Sequence, residues 1–237
     1  MLTVDFNVLG VKAGDYLLDI GCGEGRHSFE ACKWDGCRVW AVDICRDSLR
    51  KTKYMLDCMD ARKELGGTWN VALGDAMSLP FKDGSFDKII CSEVLEHLMD
   101  DAQGVRELVR VLKDQGAIAV TIPTYLTEAV YWKLSWDYCH HPGGHVRKYK
   151  APELVTLLRR NRLQVYAIRF EHALHSIYWL LRCIFGLKNE TARIPALWYT
   201  ILDWDIRYQS RLVHLLEDVC NYIFPKSIII YARKIPR

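Results

Sequence analysis

From Asp15 to about Pro123, short β-branched or aliphatic runs alternate with longer stretches of helical periodicity, the pattern of βαβ units around a parallel sheet. Tyr16 to Ile20 reads as the first strand, and His27 to Trp34 as the helix it feeds. Cys37 to Val42 is a second strand, Ser48 to Leu65 a helix rich in Lys and Arg, and Trp69 to Ala72 a short third strand. Phe86 to Cys91 makes a fourth. A helix follows over Ala102 to Leu112, where Val105, Leu108, Val109 and Leu112 recur at helical spacing. Gly116 to Ile122 is a fifth strand, ended by Pro123.

Beyond Pro123 the alternation breaks twice. Thr124 to Lys150 reads as a long aromatic, histidine-bearing loop leaving the carboxyl end of a strand, the side on which open α/β sheets bind ligands. The second break runs from about Leu174 to Pro225, between strands predicted at Leu163 to Phe170 and Ser227 to Ala232. Its stretches Ser176 to Phe185 and Pro195 to Phe224 look helical, and Leu212, Leu215, Leu216, Val219 and Ile223 share one face of the latter. No repeat or low-complexity linker divides the chain. Residues 1–237 are therefore expected to form one domain, with 124–150 and 174–225 as an acceptor-site loop and a helical insertion within it.

The 237 residues are 50% hydrophobic with a formal charge of +3 and no polybasic run, so electrostatic capture of nucleic acid is not signalled. Nine cysteines are scattered without a C-x-x-C pair, which argues against a zinc knuckle or disulfide framework and fits a reducing cytosol. Met1 to Gly10 lacks a signal-peptide pattern. No apolar run reaches the roughly 20 residues of a membrane span. A cytoplasmic protein, at most peripheral to a membrane, is expected.

The chemistry is concentrated in Leu17-Leu18-Asp19-Ile20-Gly21-Cys22-Gly23-Glu24-Gly25-Arg26-His27, an apolar strand ending in an acid and followed by alternate glycines. A dinucleotide turn needs G-x-G-x-x-G so that a pyrophosphate can sit on bare backbone at a helix N-terminus. Here the third glycine comes one residue early, and the Asp19 carboxylate would repel a phosphate. It suits a ligand with cationic groups, such as the sulfonium and ammonium of S-adenosylmethionine.

Three further motifs follow in order: Ala41-Val42-Asp43-Ile44, Gly74-Asp75-Ala76 with Leu79-Pro80-Phe81 and Asp83-Gly84-Ser85-Phe86-Asp87, and Glu93-Val94-Leu95-Glu96-His97. With these the chain resembles the class I S-adenosylmethionine-dependent methyltransferases over roughly residues 15 to 123, most closely the small-molecule group related to quinone-biosynthesis and sugar O-methyltransferases. The resemblance implies a Rossmann-like three-layer α/β sandwich with a seven-stranded, mostly parallel sheet whose last strand is antiparallel. It puts the methionine part of the cofactor against Asp19, Gly21, Cys22 and Gly23, and its ribose on Asp43. Asp75 and Ala76 would meet the adenine edge, Ile44 and Met77 its faces, and Ser92 and Glu93 would lie near the sulfonium. His97 either acts as a base or only orders its loop. The Asn/Asp-Pro-Pro-aromatic signature of amino-group methylators is absent, since Ser92-Glu93-Val94-Leu95 follows the fourth strand.

The acceptor is expected to meet Tyr138 to Tyr149, a stretch holding His140, His141 and His145 as candidate bases, with Tyr138, Arg147 and Tyr149 as substrate contacts. Similar segments lie over the acceptor site in the resembling group. No single histidine is selected. Asp137, Cys139, His140, His141 and His145 do not follow a recognised zinc spacing, and no metal is expected. The segment before Tyr16 is short, so the loop from Thr124 and the insertion are expected to serve as the lid. The aromatic and aliphatic side chains of the insertion fit a lipophilic acceptor or a membrane interface, or else packing on the sheet or in a homodimer. The expected reaction is methylation of a small molecule, preferably on oxygen, with carbon or nitrogen left open. An oxidoreductase and a non-catalytic S-adenosylmethionine-binding protein are the competing classes.

Overall fold

The computed structural model describes residues 2–139, 144–189, 191–208 and 210–236. Its sheet has seven strands in the order β3-β2-β1-β4-β5-β7-β6. They are β1 Tyr16–Ile20, β2 Arg38–Asp43, β3 Thr68–Leu73, β4 Phe86–Ser92, β5 Leu112–Pro123, β6 Leu163–Glu171 and β7 Ser227–Lys234. The first five are mutually parallel, and β7 runs antiparallel to both β5 and β6. The expected sheet and its antiparallel last strand are both present.

The helices are α1 Phe6–Leu9, α2 Arg26–Ala31, α3 Arg46–Ala61, α4 Asp101–Val111, α5 Tyr125–Leu134, α6 Trp136–Cys139, α7 Ala151–Arg160, α8 Ala173–Phe185, α9 Arg193–Tyr208 and α10 Arg211–Cys220. Central strands covered on both faces must be apolar throughout. Leu17, Leu18 and Ile20 of β1 are accordingly all buried, and burial of each contributes about 1.5–3 kcal/mol. Leu17 joins Val39, Ile90 and Ile229 in a core with Phe6, Leu9, Ala31 and Leu56 from α1, α2 and α3. On the other face, Leu18, Ile89, Val120 and Ile230 pack with Val105 and Leu108 of α4 and Leu154 and Leu158 of α7. Helices on both faces make the three layers.

Besides α1 and α7, which the sequence reading did not pick out, three stretches differ from it. β5 begins at Leu112, four residues before the expected Gly116, because its register to β4 shifts at Phe86/Lys88. Gln115, at φ 63, lies in that irregular stretch, where the charged Lys113 and Asp114 conceal a strand. The expected loop Thr124 to Lys150 starts with α5 and α6, since Thr127, Glu128 and Tyr131 are all buried and fix a helix against the body. The single helical stretch expected over Pro195 to Phe224 is two helices. Ser210 caps the second in extended backbone, and its N–H donates to Asp205 Oδ1 at 3.2 Å. No described helix is long and apolar enough to cross a membrane.

Candidate functional site

The strand order places the carboxyl ends of β3, β2, β1 and β4 side by side, so the loops carrying Asp75, Asp43, Gly21 to Gly25 and Glu93 to His97 form one row. Residues spread over 77 positions of sequence, Gly21 to His97, thus face a common edge, where such sheets bind ligands. A surface cleft of about 640 Å³, lined by Arg106, Arg110, Lys113, Arg162 and Lys234, opens at the opposite, amino end of these strands. It is remote from that row.

At the end of β1, Asp19 is fully buried; Ser28 Oγ donates to its Oδ2 at 2.6 Å, while Oδ1 has no hydrogen-bond partner among the described residues. Burial pushes its carboxyl up to about 6, an effect only partly offset by the Ser28 bond and the Arg26 charge. A buried carboxylate oxygen without a donor suits a ligand that brings a cation or an N–H. Gly21 and Gly23 both hold left-handed backbone, at φ 66 and 54. A Cβ on Gly21 would strike Val94 Cγ2, whereas one on Gly23 would project into open space. Cys22 between them is buried.

Asp43 pins this turn from β2: its Oδ2 accepts from Gly23 N at 2.8 Å and its Oδ1 from Cys45 N at 2.7 Å. Next to it Ile44 is 73% exposed, a bare apolar face on the ligand side. Asp75 Oδ1 accepts from Met77 N at 2.8 Å, closing the turn that buries Ala76. The orphaned Asp19 oxygen, the open space over Gly23 and the bare Ile44 all fit S-adenosylmethionine.

β4 ends in Ser92, whose hydroxyl pairs with Thr121 Oγ1 at 2.9 Å and accepts from Arg26 Nη2 at 3.3 Å. Glu93 then turns in left-handed backbone at φ 57, costly for a residue with a Cβ. Its N–H donates to Thr121 O at 3.0 Å, and its Oε1 accepts from Ser227 Oγ at 3.2 Å. The turn delivers Leu95–His97 beside a cavity of about 320 Å³ lined by Glu93, His97, Tyr138, Gly144, His145, Trp179, Leu187 and Lys226. His97, a candidate base, therefore meets Tyr138 and His145 of the expected acceptor stretch in one place.

Glu128 of α5 organises that cavity wall. Its Oε2 accepts from His145 Nδ1 at 2.7 Å and Trp132 Nε1 at 2.9 Å, and its Oε1 from the Tyr138 hydroxyl at 2.7 Å. Burial raises its carboxyl, but these donors outweigh burial and hold it below the usual range. Glu96, behind His97, is also buried; burial and the neighbouring Glu93 charge push its carboxyl well up.

Arg147 and Tyr149, expected as substrate contacts, are used otherwise. Arg147 Nη2 donates to Leu98 O and Met99 O, each at 2.7 Å, and its Nη1 pairs with Asp101 at 2.6 Å. Tyr149 is buried and its hydroxyl also bonds Asp101. Both fasten the strap after Gly144 to the start of α4, and neither lines the cavity. His140 and His141 lie outside the described residues. Sequence reasoning assigned no role to Glu96 and missed Glu128 and Lys226. The available signal for Glu128 was an acid set among apolar and aromatic residues in Tyr125 to Trp132.

Comparison with known proteins agrees with this geometry. A family described as methyltransferase domain matches residues 18–120. The methyltransferase GfsG of Streptomyces halstedii is 34% identical over 113 residues, covering 47% of this chain and 39% of that protein. The demethylmenaquinone methyltransferase of Lactobacillus johnsonii is 30% identical over 154 residues, covering 61% of this chain and 62% of its own. Under two thirds of either relative is spanned. Among solved structures, an S-adenosylmethionine-dependent methyltransferase of Methanosarcina mazei superposes with a TM-score of 0.66 at 19% identity, covering 100% of both chains, a likeness of fold. The ordered motifs and the matched segment make residues 18–120 similar to a methyltransferase domain, and the chain shares the fold of an S-adenosylmethionine-dependent methyltransferase.

Proposed function

We propose that the protein transfers a methyl group from S-adenosylmethionine to an oxygen of a small, lipophilic acceptor. One observation supports the reading: the β4 loop joins the row of strand-end loops to the neighbouring cavity. Ser92 and Glu93 end β4 in that row, and Glu93 and His97 open onto the cavity. A donor and an acceptor held there meet across a single turn of chain, which is the positioning that an in-line displacement requires.

Asp19, Gly21, Cys22 and Gly23 would hold the methionine part, Asp43 the ribose, and Asp75 and Ala76 the adenine edge, with Ile44 and Met77 on its faces. Bound S-adenosylmethionine supplies an electrophilic methyl group. His97, His145 and Tyr138 place polar atoms against the acceptor, while Trp179 and Leu187 give the cavity an apolar side. The demethylmenaquinone relative is named for a quinone, which supports a lipophilic small molecule. So does the arm: Leu212 is 79% exposed and Ile223 71%, and none of α10 is buried. Such an apolar face suits contact with a membrane surface or a second copy of the chain, either of which would bring a lipophilic acceptor within reach.

Methyl-labelled cofactor incubated with the protein and fractionated extract tests the proposal. Label in a lipid-phase methyl ether is expected. A product confined to the aqueous phase overturns the lipophilic acceptor, and methyl on carbon or nitrogen overturns the choice of oxygen.

A further inference from the structure

We infer that Glu96, His97 and His145 form a binding site for a divalent first-row transition-metal ion, whose open positions take the acceptor oxygen. The second half of that statement rests on the methyl-transfer reading; the metal site does not.

The argument starts from Glu96. Its side chain is 1% exposed, and both carboxylate oxygens are buried without a hydrogen-bond partner among the described residues. A buried carboxylate with two unmet oxygens is among the costliest groups a fold can hold, and protonation would only replace an unmet acceptor by an unmet donor. A cation in contact with it removes the cost. The sequence places His97 next to Glu96 and His145 48 positions beyond His97. The fold stacks the two rings edge to face at 4.9 Å, and one ligand atom from each of Glu96, His97 and His145 lies within 4.8 Å of the others.

The outer contacts are those that metal-bound imidazoles use. Glu128 Oε2 takes the Nδ1 proton of His145 at 2.7 Å, which leaves the lone pair on Nε2. Gly144 O lies 3.3 Å from His97 Nδ1 and, having only lone pairs to offer, fixes the same tautomer there. Glu128 is itself held by Tyr138 and Trp132, so the orienting carboxylate cannot turn away. Two imidazoles and one carboxylate favour a transition metal over magnesium or calcium, which prefer all-oxygen sets. Three protein ligands leave positions for exchangeable oxygen, the mark of a catalytic rather than a structural centre. Those positions face the cavity, which His97 and His145 both line.

In the reaction, the ion would make the acceptor hydroxyl more acidic, and its proton would leave to solvent. The oxygen lone pair then forms the new O–C bond. The C–S bond breaks with its electron pair remaining on sulfur, so a neutral thioether leaves and no external oxidant or reductant is needed. His97 and His145 hold the metal in this scheme and do not take the proton.

The test uses the full chain stripped with chelator and titrated with Co²⁺ alone, followed by visible absorption and calorimetry. One tightly bound Co²⁺ with a ligand-field spectrum is expected, weakened at least tenfold in E96Q, in H97Q and in H145A. His97 is exposed, so H97Q keeps the fold even where E96Q does not. E128Q should weaken binding by roughly 10- to 100-fold, as loss of an outer partner does. A second grouping, His172, His175 and Glu217, provides the internal control. Absence of Co²⁺ binding, or binding unchanged in all three ligand variants or lost only in H175A, overturns the proposal. S-adenosylmethionine affinity, measured by calorimetry on the same stripped protein, separates the two readings. If cofactor binds and Co²⁺ does not, the metal site alone falls. If Co²⁺ binds as expected and cofactor does not, the metal site stands and methyl transfer falls.

Discussion

Gly21 and Gly23 share a left-handed backbone, at φ 66 and 54, yet their surroundings differ. G21A would combine that strain with a clash against Val94, so a stability loss of about 2–3 kcal/mol is expected in thermal or chemical denaturation. G23A carries the strain alone, about 1–2 kcal/mol, but its methyl group enters the open ligand space. Calorimetry should show S-adenosylmethionine affinity falling at least tenfold in G23A. Equal affinity in G23A and the parent would place the cofactor elsewhere. Asp19 adds a pH dependence with a definite sign. Its folded pKa of about 6 lies above the unfolded 3.8, so the folded form keeps its proton longer and ionisation works against the fold. From this group, stability declines as pH rises from about 4 through about 6, by roughly 3 kcal/mol in total. D19N should lose that slope in urea titrations across the range. A cationic cofactor binds the ionised form better, so its affinity should rise with pH over the same window in the parent and stay flat in D19N. These local contributions were legible in the sequence because each motif sits at the end of its own strand. The Glu128, His145 and His97 arrangement was not: it joins residues 17 to 48 positions apart, through a helix the sequence did not reveal.

At the scale of elements, the strap after Gly144 is fastened at several points. Val146 N donates to Glu96 O at 2.9 Å, while Arg147 and Tyr149 both reach Asp101 at the start of α4. R147A is expected to raise hydrogen exchange over residues 144–150 and lower acceptor turnover, with cofactor affinity unchanged. Exchange confined to the parent level would show that the strap holds without it. The same logic applies to the proposed lid. Cofactor should protect 124–150 and 174–225 from limited proteolysis, and an identical cleavage pattern with and without it would remove that role. Where the sequence misread elements, the cause was contact it could not show. α5 carries apolar residues around much of its circumference and so lacks a clean helical stripe; α9 and α10 are separated by a capping serine within a pattern that otherwise continues.

Over the whole molecule, periodicity correctly placed Leu212, Leu215, Leu216 and Val219 on one helix, while Ile223 falls in the turn after it; it could not say what covers that face, and in the structure all five are exposed. The double variant L212E/L216E should therefore leave stability within about 0.5 kcal/mol and cofactor affinity unchanged, as exposed substitutions do. Its turnover of a lipophilic acceptor should fall. Retained turnover would detach that face from substrate delivery. The arm's attachment has a further consequence. It leaves the sheet after β6 and returns at β7, and these strands are direct antiparallel neighbours, with Glu171 opposite Ser227 and Lys226 N donating to Glu171 O at 3.1 Å. Its two ends are thus about 5 Å apart. A short turn could join them, making 172–226 an exchangeable module. Exchanging the arm would rebuild the side of the cavity that Trp179, Leu187 and Lys226 supply, and so change what is brought to the catalytic edge, while β1 to β5 and the donor turn keep their register.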